Sequence, residues 1–113
     1  MNIGLDFDGT VTEDPDLWMQ FVKMMRAGGH SVYIVTMRYP SEINSDPEIM
    51  KFTGVVNDII GTSRQAKQPH CEKLGITINI WIDDNPRAMY ESAKQIWGHS
   101  TAEGEVHIPT YSD

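Results

Sequence analysis

Two pairs of aspartates from distant parts of the chain are the residues best suited to chemistry. Asp6 and Asp8 follow the apolar run NIGL, and Asp83 and Asp84 follow the apolar run INIWI. Carboxylate oxygens are the ligands that Mg²⁺ prefers in proteins. A carboxylate beside such an ion can also attack phosphorus, because the ion offsets the repulsion between two anions. These residues therefore predict metal-assisted hydrolysis of a phosphate ester.

The order of residues in the first pair suggests a role for each. Asp6 would be the nucleophile that forms a covalent acyl phosphate. Asp8 lies past the end of the apolar run, so it could bend back over the site, protonate the leaving oxygen and later deprotonate the attacking water. Gly9 permits a turn that a side chain would resist, and it exposes backbone amides to a phosphate. Thr10 completes the segment DFDGT and is assigned with Gly9 to phosphate binding.

Two more polar residues lie at or after the ends of predicted strands. Thr36 ends the run HSVYIVT, where its hydroxyl could hydrogen-bond a phosphoryl oxygen. Lys67 follows the next apolar run and would supply a point charge for the phosphate and for Asp6. Lys73 is the alternative lysine, because it lies 10 residues before Asp83, whereas Lys67 lies 16 residues before it. Cys71 has no obvious partner, which argues against a nucleophilic thiol.

The elements that must position these residues alternate between strands and helices. Three helix starts combine an N-cap side chain with proline at the first helical position, as in Asp14-Pro15. Such alternation predicts a mainly parallel sheet covered by helices on both faces, with the active crevice beyond the carboxyl ends of the strands. Strands are predicted at 2–7, 30–36, 55–61 and 78–82, and helices after 14–15, after 46–47, around 70–74 and after 85–86; beyond 98 the pattern allows only a short edge strand at 106–108.

Composition narrows the class of protein. The 113 residues fit one α/β domain spanning 1–113, and the net charge of −7 argues against general attraction to nucleic acid. The single cysteine points to a reducing compartment. No apolar stretch approaches the ~20 residues that span a bilayer, so no membrane partner is expected. Acidic residues interrupt the N-terminal apolar run early, unlike a signal peptide, and we expect a cytoplasmic protein.

The motifs resemble the haloacid dehalogenase superfamily. The four matching segments are DFDGT at 6–10, VYIVT at 32–36, AKQP at 66–69 and IWIDD at 80–84, and the resemblance covers Asn2 to about Trp97. It implies a three-layer Rossmann-like core and a magnesium-dependent phosphomonoester hydrolase that passes through phospho-Asp6.

The resemblance also assigns roles residue by residue. Asp6 would be the nucleophile and Asp8 the acid/base, while Thr36 and Lys67 would bind the phosphoryl group. The segment Lys-Gln-Pro favours Lys67 over Lys73, because it is similar to the start of the family's third-motif helix. Mg²⁺ would be held by Asp6, the Asp8 carbonyl and Asp84, with Asp83 bonding a metal-bound water or the lysine.

The intervals between motifs are too short for a cap domain, so the chain resembles the capless branch with an open site. Arg38 follows Thr36 as in polynucleotide 3′-phosphatases and deoxynucleotidases, where an arginine contacts substrate; a surface ion pair is the equal alternative. Asp84-Asn85-Pro86 with Tyr90 is similar to a segment of small phosphoprotein phosphatases.

The sequence therefore leaves open both the substrate and whether the protein is an active enzyme. A basic groove including Arg38, Lys51 and Arg64 would favour a nucleic-acid end, and a closed pocket would favour a small metabolite. A catalytically inactive phosphate-binding or regulatory protein is the rival class. The complete set of catalytic residue types argues against that rival, and the sequence is compatible with a homo-oligomer without indicating one.

Overall fold

The computed structural model describes residues 1–98 and Glu103, and within them strands and helices alternate. Two single 3-10 turns, Val11–Glu13 and Pro86–Met89, accompany the regular elements. Those elements are β1 Asn2–Leu5, α1 Pro15–Ala27, β2 Ser31–Thr36, α2 Pro40–Asn44, α3 Pro47–Met50, β3 Asp58–Gly61, α4 Lys67–Lys73, β4 Ile80–Ile82 and α5 Ala93–Trp97.

The sheet of the described residues has four strands in the order β3-β2-β1-β4, all parallel. Leu5 lies opposite Ile34 of β2 and Ile82 of β4, and Thr36 lies opposite Gly61 of β3. The carboxyl ends of all four strands therefore meet at one edge. The predicted α/β class with a mainly parallel sheet is confirmed.

Both faces of the sheet are covered, because strand side chains alternate between them. Leu5 and Ile34 pack on one face in a cluster that includes Val22 of α1. Val35 belongs to a second cluster with Cys71 of α4. The two helices therefore lie on opposite faces, as βαβ connections require.

Helix α1 forms as the sequence predicts. The Asp14 carboxylate accepts a hydrogen bond from the Leu17 backbone N–H at 3.3 Å, and Pro15 occupies the first turn. The buried Val22 is flanked by partly buried Trp18, Phe21 and Met25, which complete the apolar stripe that faces the sheet.

Several boundaries differ from the prediction. β3 begins at Asp58 rather than at Val55, because residues 52–56 form a turn in which Val55 and Val56 N–H groups bond the Phe52 carbonyl. α2 was not predicted, since its N-cap position holds Tyr39 rather than a short polar residue.

The single helix predicted after Asn85-Pro86 is wrong, because two elements occur there. A 3-10 turn ends at Met89, and α5 starts anew where Ser92 and Gln95 cap each other's backbone N–H groups. Helix α4 begins at Lys67, ahead of the predicted 70–74. The predicted strand at 106–108 lies outside the described residues. No helix in the described part of the chain has the length and apolar character needed to cross a bilayer.

Candidate active site

Asp6 follows β1 directly and is fixed on every side. Its backbone N–H donates to the Ile82 carbonyl at 2.9 Å, which ties it to the end of β4. Its side chain is fully buried. One carboxylate oxygen, Oδ1, accepts from the Lys67 ammonium at 2.7 Å, and the other, Oδ2, accepts from the Thr10 hydroxyl at 3.0 Å. The predicted nucleophile therefore has a defined orientation at the carboxyl edge of the sheet.

Lys67 is the lysine that reaches this edge. It is the first residue of α4 and is fully buried. Its Nζ lies 2.7 Å from Asp6 Oδ1 and 2.6 Å from Asp83 Oδ2, so one ammonium bridges two carboxylates from opposite halves of the chain. Lys73, the alternative, is exposed on the last turn of the same helix.

A side-chain hydrogen bond connects α4, next to Lys67, with β4, the edge strand beside β1. The indole N–H of Trp81 donates to Gln68 Oε1 at 2.7 Å, next to Lys67 along the helix. The Trp81 ring lies against Gly4 of β1 so closely that a Cβ atom there would come within 2.6 Å of it. Glycine at position 4 therefore leaves the space that Trp81 needs to anchor α4.

Asp83 and Asp84 complete the cluster at the end of β4. Asp83 Oδ1 accepts from the Asn85 N–H at 2.9 Å, so both of its oxygens are engaged. Asp6, Asp83 and Asp84 each offer one carboxylate oxygen, and these three atoms lie within 4.8 Å of one another. Hard oxygen donors at this spacing fit a divalent cation such as Mg²⁺.

The charges of the cluster fit such an ion as well. Three carboxylates and one ammonium leave two negative charges when all are ionised. Burial raises the pKa of Asp6 to about 9; the Lys67 ammonium opposes the rise and Asp83 adds to it. Burial also opposes the charge on Lys67, but the Asp6 and Asp83 carboxylates outweigh it and raise the ammonium pKa. A divalent cation at this position would offset the excess negative charge and oppose that rise in the pKa of Asp6.

Asp8 lies apart from this cluster, with a different partner. Its carboxylate is bound by the Arg38 guanidinium through two hydrogen bonds, Nε to Oδ2 at 2.9 Å and Nη2 to Oδ1 at 2.6 Å. Arg38 Nη1 also donates to Asp46 Oδ2 at 2.7 Å. The guanidinium lies over the Phe7 ring at 5.2 Å from its centre. We therefore describe Asp8, Arg38 and Asp46 as the arginine bridge.

The arginine bridge shifts two ionisation equilibria. Burial disfavours the charge on Arg38, but its hydrogen bonds to Asp8 and Asp46 outweigh burial and raise its pKa. Burial would raise the pKa of Asp46, yet the Arg38 hydrogen bond outweighs it and lowers that pKa. Arg38 thus forms the ion pair that was one of its two expected roles, at the edge of the site.

The remaining predicted phosphate-binding groups have these positions. Gly9 has a φ angle of 86°, which glycine tolerates best, and its N–H donates to the Thr12 hydroxyl at 2.9 Å. Thr36 is fully buried at the end of β2, and its Oγ1 accepts from the Arg38 N–H at 3.3 Å. A hydroxyl acceptor keeps its own proton, so Thr36 retains a donor.

The three basic residues considered for a nucleic-acid groove have acidic partners in the structure. Lys51 pairs with Glu48 at 2.9 Å, and buried Arg64 pairs with Glu42 at 2.8 Å. Arg38 belongs to the arginine bridge.

Sequence reasoning missed the second role of Asp46. Its Oδ1 caps α3 by accepting the Glu48 N–H at 2.9 Å, as predicted, while its Oδ2 holds Arg38. The cap signal places Asp46 at a helix start, but nothing local to the sequence points to Arg38.

Comparisons with protein-family models, with curated proteins and with solved structures found no significant match.

Proposed function

We propose that the chain is a magnesium-dependent phosphomonoester hydrolase of the haloacid dehalogenase type, with Asp6 as the nucleophile. The observation that supports this most strongly is the burial of Asp6 between Lys67 and two further aspartates at the carboxyl edge of a parallel sheet. A buried, oriented carboxylate beside a fixed cation is what attack on a phosphate ester requires.

Asp6 and Asp84 of the carboxylate cluster would hold Mg²⁺, together with the Asp8 carbonyl that the resemblance implies, and the bound ion would neutralise the excess negative charge of the site. Lys67 would hold Asp6 and offer charge to the phosphoryl oxygens. Asp83 would fix Lys67, since its carboxylate bonds the ammonium at 2.6 Å. The Thr36 hydroxyl would donate to a phosphoryl oxygen.

The reaction would have two steps. An Asp6 oxygen attacks phosphorus while the bond from phosphorus to the leaving oxygen breaks, and Asp8 protonates that oxygen. Asp8 then takes a proton from water as the water oxygen attacks phosphorus, the bond to Asp6 breaks, and inorganic phosphate leaves. Asp8 must exchange part of its contact with Arg38 for these proton transfers.

The rival class, an inactive phosphate-binding or regulatory protein, would need the same buried cluster without its chemistry. Burying charged groups is costly, and binding alone gives no reason to keep Asp6, Asp83 and Lys67 together in the interior. A nucleotide, a nucleic-acid end, a small phosphate ester and a phosphoprotein all remain within the proposed substrate class. The pairing of Arg38, Lys51 and Arg64 with acids disfavours an extended nucleic acid.

The test is turnover of an aryl phosphate with and without Mg²⁺ by the wild type and by Asp6→Asn. We expect magnesium-dependent release of phosphate that Asp6→Asn abolishes, and a hydroxylamine-sensitive phosphoprotein in the wild type only. Asp58→Asn is the matched control, because Asp58 is exposed at the amino end of β3, and it should keep wild-type rates. Turnover that Asp6→Asn leaves intact, or none in the wild type, contradicts the proposal.

A further inference from the structure

A cleft of about 240 Å³ lies beside the segment that carries Asp6 and Asp8. Its walls come from that segment, from α1 and from the end of α3, and the apolar wall residues are Phe7, Pro15, Met19 and Phe52. Pockets for drug-sized ligands have volumes of roughly 300–1,000 Å³. The cleft is therefore sized for one chemical group rather than for a whole large ligand.

The cleft adjoins the arginine bridge. Phe7, which packs edge-on against Phe52, lies between Asp6 and Asp8 in the chain and carries the Arg38 guanidinium over its ring. Thr12, another wall residue, accepts the Gly9 N–H through its hydroxyl. Two wall residues of the cleft, Phe7 and Thr12, thus belong to the segment that presents Asp8, the proposed donor of a proton to the leaving oxygen.

The charges around the cleft restrict its occupant. Its charged residues are Asp16, Glu48 and Lys51, and Lys51 pairs with Glu48 at 2.9 Å. Two acids against one base give this rim an excess of negative charge. A second phosphate or a carboxylate would be repelled there, whereas an uncharged apolar group would gain from leaving water.

We propose that this cleft binds the leaving group of the phosphate ester and selects an uncharged, apolar group of about one ring. The inference rests on the proposed function. Since Asp8 protonates the leaving oxygen, the group attached to that oxygen must lie on the Asp8 side of Asp6, and the Phe7 wall of the cleft lies under the Arg38 guanidinium that binds Asp8. Exposed Pro15 and half-buried Met19 offer apolar surface for such a group, and the buried Phe7 and Phe52 rings lie behind it.

The kinetic test compares benzyl phosphate with ethyl phosphate, whose leaving groups are both alcohols. We expect the wild type to favour benzyl phosphate in kcat/KM by at least roughly 10-fold, since a single methylene in an apolar pocket is worth roughly 10- to 200-fold. Met19→Glu places a charge in the wall and should reduce that preference at least about tenfold. Met24→Glu is the matched control on the same helix, because Met24 is 61% exposed, and it should keep the wild-type preference.

A wild type without preference, or a preference that Met19→Glu leaves unchanged, overturns the proposal. A binding measurement separates it from the proposed function. Benzyl alcohol is titrated into ¹⁵N-labelled Asp6→Asn protein, so that binding is measured without any turnover. Amide shifts centred on Thr12, Met19 and Phe52, and lost in Asp6→Asn/Met19→Glu, support the cleft even if no ester is hydrolysed. Shifts absent from these residues contradict it even if hydrolysis occurs.

Discussion

Two basic residues in this site each bridge a pair of aspartates, and the two bridges differ chiefly in burial. Lys67 links Asp6 to Asp83 with side-chain exposures of 0% for the lysine and 0% and 3% for the acids. In the arginine bridge the exposures are 17% for Arg38, 23% for Asp8 and 27% for Asp46. The same arrangement of charges thus occurs once in the interior and once at the surface.

The difference in burial suits the two bridges to different functions. Charges in the interior interact strongly and are costly when unpaired, so the lysine bridge holds Asp6, the proposed nucleophile, rigidly. Charges near water exchange partners at low cost. The arginine bridge is therefore suited to a residue such as Asp8, which must move a proton in each half of the proposed reaction.

Breaking the buried bridge should have the largest effect. Lys67→Met leaves Asp6 and Asp83 without their cation, and we expect a loss of about 3–5 kcal/mol of stability together with loss of phosphatase turnover. Urea unfolding and aryl phosphate hydrolysis measure the two effects. Lys73→Met, on the exposed side of the same helix, should change stability by no more than about 0.5 kcal/mol. Equal losses of stability in Lys67→Met and Lys73→Met would contradict a special role for the buried lysine bridge.

Mg²⁺ should stabilise the protein through the cluster of Asp6, Asp83 and Asp84 and not through the arginine bridge. A ligand at 100 times its Kd stabilises a protein by about 2.7 kcal/mol, so Mg²⁺ should raise the Tm of the wild type. Asp84→Asn removes a proposed ligand and should shift the midpoint of that Mg²⁺ titration to higher concentration. Asp46→Asn, in the arginine bridge, should leave the midpoint in place. A Tm that Mg²⁺ does not change in the wild type would count against the metal site.

The coupling within the arginine bridge should be smaller. A double-mutant cycle of Arg38→Ala and Asp46→Ala, followed by urea unfolding, should give about 1 kcal/mol or less, because both groups contact water. A coupling as large as the effect of Lys67→Met would mean that burial does not separate the two bridges.

The smallest expected effect concerns pH. Arg38 lowers the pKa of Asp46 against the opposing effect of burial, so this carboxylate adds stability above its unfolded pKa of about 4. That stability is lost as the pH falls through the lowered value in the folded protein. Asp46→Asn should flatten the acid side of a plot of the urea midpoint against pH. An acid limb identical to that of the wild type would show that the pair contributes nothing.

Local patterns predicted most of the fold and the buried half of the site. Strand-end aspartates and proline-started helices are short-range signals, and parallel strands bring their carboxyl ends together whatever the loops do. Asp6 and Asp83 therefore could be placed near each other before any coordinates. The split of the last helix escaped prediction, because the Ser92–Gln95 cap competed with an apolar stripe that continued through it.

The arginine bridge could not be predicted in the same way. The partner of Arg38 depends on where α3 lies, and a four-residue helix between two turns leaves no periodic signal for its position. Tertiary contacts of this kind are absent from any single segment of sequence.

The interior lysine bridge also restricts how this chain can change over generations. Replacing Lys67 alone leaves two interior carboxylates without their cation, and most such single steps would therefore be eliminated through instability alone. Descendants that abandon the chemistry are expected to replace the lysine together with an aspartate by apolar residues. Arg38 and Asp46 face water and can diverge one at a time.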